Sequence, residues 1–109
     1  MSLNVDALFG QMVAAGSQAF GDGWAQVETF AKLEFRTLAE RIKDIGAGLA
    51  NNDFDLATAK MLLAMQVNLA VAAIAGATTL VILAVEAAIN AVLAVIRGFV
   101  NAAVGAVLL

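Results

Sequence analysis

Apolar positions in the first half of the chain recur at helical spacing. Phe9, Met12, Val13, Gly16 and Phe20 fall on one face and predict a first helix over residues 3–20. Gly10 and Gly16 weaken it, at roughly 1 kcal/mol each against alanine. Gly21-Asp22-Gly23 is a clear breaker, and Asp22 is the expected N-cap of the next helix. That second helix is predicted over residues 23–49. There Trp24, Val27, Ala31, Leu38, Ile42, Ile45 and Leu49 hold a three–four spacing, and Phe35 widens the stripe. Its charges gather off that stripe. Glu28 with Lys32, and Glu40 and Asp44 with Arg36, Arg41 and Lys43, are spaced for pairs one helical turn apart. Asn51-Asn52-Asp53 reads as a loop, with Asp53 or Asp55 available to cap the third element.

The pattern then changes. From Leu56 to Leu109 no strong stop signal interrupts an apolar, alanine-rich run. Continuous helix over this segment would extend about 81 Å. The one candidate bend is Gly76-Ala77-Thr78-Thr79, a weak turn without Pro, Asn or Asp. The polar positions favour one long helix over a hairpin with arms near 56–75 and 80–109, because they pass through the bend without changing phase. Asn68, Thr79, Asn90 and Asn101 recur every 11 residues, as do Glu86 and Arg97. Eleven residues make about three turns, so these positions return to nearly one azimuth. The expectation is a helix buried almost all round, with one polar seam.

Charge sharpens the contrast between the halves. Of the 15 charged residues, 13 precede position 61, and Glu86 and Arg97 are the remaining two. Apolar residues make up 62% of the chain, against about 45–50% in an average soluble domain. The fold class expected is therefore all-α: an amphipathic region over 1–55 made of two helices, then an apolar assembly or membrane helix over 56–109. Such a chain is expected to be stable only as an oligomer or in lipid. The opening Met1-Ser2-Leu3-Asn4-Val5-Asp6 lacks the basic, then apolar, character of a secretory signal.

Candidate chemistry is sparse. The sequence has no His, Cys, Tyr or Pro, and Ser2 and Ser17 have no base at useful spacing, so no enzyme is expected. No phosphate loop or metal-ligand spacing occurs, and no cofactor or metal is expected. The net charge of −3 argues against nucleic acid. Two constellations remain. The polar seam of Asn68, Thr79, Glu86, Asn90, Arg97 and Asn101 would fix register between copies or line a lumen. Ala72/Gly76, Ala94/Gly98 and Gly98/Ala102, continued by Gly105, are spaced for close helix packing, although alanine enrichment alone also produces such pairs. The aromatics Phe9, Phe20, Trp24, Phe30, Phe35 and Phe54 are expected to pack the first two helices together, with an interfacial belt as the alternative.

The leading functional expectation is a self-assembling structural subunit of a filament, tube or ring, with itself as partner, in an extracellular or cell-surface assembly. In outline this is similar to secretion-needle and pilus subunits, small helical proteins with a long assembly helix. The alternative is a membrane-inserting protein, either a pore-forming toxin, a bacteriocin-like peptide or an integral membrane subunit. Residues 61–85 are 25 consecutive uncharged residues, enough to cross a hydrocarbon core of about 30 Å. An accessory subunit docking its apolar helix on a larger partner ranks last.

Overall fold

In the computed structural model, which describes residues 3–109, two of the four α-helices start at a side-chain cap. Asn4 caps α1 (Val5–Phe20), its side chain accepting from the Ala7 amide at 3.0 Å. The chain reverses at Gly21, whose φ of 54° and ψ of −123° suit a residue without Cβ. A single 3-10 turn (Gly21–Gly23) then runs straight into α2 (Trp24–Ala50). Asp22 therefore does not cap α2. It lies inside the turn, and because Gly23 is already helical no extended N-cap residue exists to carry a side-chain bond. The loop after α2 turns at Asn52, at φ 60°, a conformation asparagine tolerates. Of the two expected caps Asp55 is used. It opens α3 (Leu56–Ala77) by accepting from the Thr58 amide at 2.8 Å.

Residues 56–109 take the hairpin form rather than a single long helix. α3 ends at Ala77, residues 78–81 are not helical, and α4 runs from Ile82 to Val104. The bend falls in the segment expected for it, Gly76-Ala77-Thr78-Thr79, with Gly76 itself still inside α3. It begins at Thr78, extended at φ −129° and ψ 176°. The Thr78 hydroxyl donates to the Ile74 carbonyl at 2.9 Å and accepts from the Leu80 amide at 3.4 Å, substituting for the helical partners lost there. The start of α4, like that of α2, lacks a side-chain cap: Val81 offers no side-chain bond. Gly105, left-handed at φ 79°, ends α4, its amide donating to the Asn101 carbonyl.

The helices form two antiparallel hairpins laid side by side. α4 packs on α1, α3 packs on α2, and α1 and α2 pack on each other. α3 and α4 touch one another less than either touches its amphipathic neighbour. The core between the layers holds Leu8, Met12, Val27, Phe35, Ile42, Ile74, Ile89 and Ile96, all essentially inaccessible to water. The second-helix stripe is realised: Val27, Ala31, Phe35, Leu38, Ile42 and Ile45 are buried, while Trp24 and Leu49 are half-buried at its ends. No polar or charged side chain is buried among the described residues.

Candidate functional site: the outer face of the apolar hairpin

The accessible surface, 5739 Å², is close to the roughly 5700 Å² expected of any folded monomer of this mass. The chain is thus folded to a normal extent; what is unusual is the chemistry of the surface. Large apolar side chains stand exposed along α3, the hairpin turn and α4: Met61, Met65, Leu69, Val81, Ile82, Leu83 and Val95. α3 and α4 are both long and apolar enough to cross a membrane. Their 22 and 23 residues correspond to about 33 and 35 Å of helix, against a hydrocarbon core of about 30 Å. The turn joining them carries no charge. It is held to α2 at its own end of the molecule, where Thr79 Oγ1 donates to Gln26 Oε1 at 3.1 Å and Leu80 lies over Gly23.

The amphipathic layer has the opposite character. Glu28 and Lys32 pair at 2.8 Å, and Arg41 and Asp44 approach to 3.8 Å. Arg36 ignores its own helix. It reaches α1, donating to Asp6 at 2.6 Å with its guanidinium 4.2 Å from the centre of the Phe9 ring. That contact ties α1 to α2, and no helical spacing in the sequence announces it, since the residues are 30 apart.

Folding back after Ala77 divides the expected seam. Asn68 stays on α3, Thr79 is taken into the turn, and Glu86, Asn90, Arg97 and Asn101 continue along α4. Asn68 and Asn90 both line the open groove between α3 and α4, together with Lys60, Leu93 and Leu109. Asn101 is structural: its Oδ1 accepts from the Leu108 and Leu109 amides, both at 2.9 Å, and its Nδ2 donates to the Leu109 carbonyl at 3.2 Å. This clasp folds residues 105–109 back onto α4. Glu86 and Arg97 are exposed, and neither joins any of the three ion pairs found among the described residues.

The small residues expected to bring helices together, Ala72, Gly76, Ala94, Gly98, Ala102 and Gly105, are all exposed. A Cβ added at Gly76, Gly98 or Gly105 would meet nothing within 4 Å. Close packing inside the chain uses other glycines. A Cβ on Gly16 would sit 2.7 Å from the Phe35 ring, one on Gly46 3.0 Å from Val104, and one on Gly48 2.5 Å from the Phe54 ring. The sequence does not announce these three as packing sites, because a packing glycine and a tolerated one have the same local signature. The aromatics behave as packing groups for the most part: Phe35 is buried, and Phe9, Phe20, Trp24 and Phe54 are half-buried against the core. Phe30, 40% exposed, is outside it.

Asp55, the N-cap of α3, is an exposed carboxylate. The Thr58 amide that it caps holds its pKa below the usual value of 3.8, and the Thr58 side chain adds to the effect. No protein-family model matches the chain, and neither the curated proteins nor the solved structures provide a match. The structure stands as an all-α domain whose apolar C-terminal helices are consistent with oligomerisation or membrane association.

Proposed function

We propose that the protein is a non-catalytic, membrane-associating protein that inserts the α3–α4 hairpin into a bilayer and leaves the charged α1–α2 hairpin at the surface. The observation that carries this reading is the hairpin itself: two apolar helices of bilayer length joined by an uncharged turn. A continuous helix of 81 Å would not fit a bilayer core; two arms of 33–35 Å do, at about 1.5 Å per residue. The charge distribution supports the same orientation, since 13 of 15 charges precede residue 61. Glu86 and Arg97 lie about 10 Å and 6 Å from the middle of α4, where a charge costs least if it reaches the interface or a counter-charge. Flotation of the purified chain with phosphatidylcholine vesicles tests the proposal. Recovery with the lipid supports it, and a chain left wholly in the aqueous fraction refutes it.

A second reading, the self-assembling subunit of a filament, tube or ring, is supported by one specific feature. Ala87, Ala91, Ala94, Gly98 and Ala102 are exposed on α4, a low surface against which another helix backbone can lie closely. Sedimentation and negative-stain microscopy without detergent separate the two. Regular polymers would favour assembly, and Glu86→Ala or Arg97→Ala should then disturb their register while leaving lipid partitioning intact.

A further inference from the structure

We infer that in water the chain pairs with a second copy of itself, α4 against α4 in antiparallel orientation, about a two-fold axis near residues 91 and 92. Glu86 and Arg97 are the charges on this helix, both exposed and both without an ion-pair partner among the described residues. Eleven residues apart, they differ by only about 20° in azimuth and about 16 Å along the axis. Such a stripe is self-complementary in one orientation. Antiparallel pairing sets each Glu86 against the other copy's Arg97, twice per dimer, whereas parallel pairing in register sets like charges together.

The groove beside the stripe has the same polarity. Lys60 lies in it at the open end of the hairpin, on the side toward which Arg97 is displaced, while Glu86 is nearer the turn. Each copy thus presents a positive end and a negative end along one line, and the two-fold axis matches opposite ends. Between the charges the face carries Asn90 and Ala94, both exposed, and the half-buried Leu93, so the two helices meet there over small, polar and apolar groups with no further charge. A two-fold contact closes on itself and yields dimers rather than polymers. Pairing needs no lipid, so it stands or falls separately from the membrane proposal.

Charge exchange tests it, read by sedimentation equilibrium of the full chain at low salt without detergent. The wild type should be a dimer whose association weakens as salt is added. Glu86→Arg alone and Arg97→Glu alone each turn two attractive pairs into two repulsive ones and should weaken it roughly 30-fold. Both sites are exposed, so helicity by circular dichroism should not change. The double variant Glu86→Arg/Arg97→Glu should recover wild-type association. Orientation is read separately in this cysteine-free chain. Asn90→Cys places two thiols about 4.5 Å apart along the axis and should cross-link, whereas Leu83→Cys separates them by about 25 Å and should not. A monomeric wild type, assemblies larger than a dimer, a chain held in solution only by detergent, a double variant no better than the singles, or cross-linking at Leu83→Cys would each overturn the pairing. Vesicle flotation, by contrast, reports on the membrane reading alone.

Discussion

Met65→Lys puts a charge on the outer face of α3 at the depth where a bilayer penalises it most. Met65 is the tenth of the helix's 22 residues, about 2 Å from its midpoint. It is 54% exposed, so the substitution neither opens a cavity nor buries a charge in the water-soluble fold. Such surface changes ordinarily alter stability by no more than about 0.5 kcal/mol, and melting should move by less than about 4 °C. In the bilayer the same lysine lies some 13 Å below the interface of a 30 Å core, beyond what its stem comfortably spans (the depth is set by the helical rise). The translocon scale sets the cost at about 2.5–3.5 kcal/mol, equivalent to a roughly 60- to 300-fold loss of partitioning. Flotation over a concentration series of phosphatidylcholine vesicles measures this directly. Neutral lipid is needed because the added charge would otherwise favour anionic membranes. Met65→Leu is the control and should bind like the wild type. If Met65→Lys remains folded and partitions as well as wild type, α3 does not enter the hydrocarbon with this face outward, and the insertion argument fails.

The packing carries other testable outcomes. Gly76→Ala should raise stability by about 0.5–1 kcal/mol in chemical denaturation, because Gly76 is an exposed helical residue with open space around its Cβ position; a loss of stability would mean that the bend does require glycine there. Gly16→Ala should do the reverse, losing roughly 1–3 kcal/mol by driving a Cβ against the buried Phe35 ring, 2.7 Å away. Asp55 makes stability depend on pH in one direction. Its folded pKa is depressed, so its contribution is fully present above the ordinary value of 3.8 and disappears as pH falls through the lower folded value. Asp55→Asn keeps an acceptor at the N-cap without that titration, and its melting temperature should fall less than the wild type's across this acid range; equal slopes would mean that the cap contributes no acid sensitivity.

The helical halves of this protein were legible wherever a local signal existed. The three–four spacing of Val27, Ala31, Leu38 and Ile42 determines which face of α2 is inward, because an amphipathic helix has one way to hide its apolar stripe. Gly21, Asn52 and Asp55 mark real boundaries because their backbone or capping preferences act within a few residues. The imbalance of charge likewise locates the exposed apolar surface in the second half. Local signals did not decide what happens after Ala77. Ala77-Thr78-Thr79-Leu80 contains no obligatory breaker, and the 11-residue polar spacing is equally compatible with a straight helix. The turn exists because folding back lets Ile74, Val85, Ile89 and Ile96 share a core with α1 and α2, a gain spread over residues far apart in the chain. Composition could say that the C-terminal half needs cover. Tertiary structure alone decided how much α1 and α2 supply, and which face is left open, because burial depends on what lies across from a residue and not on its neighbours in sequence.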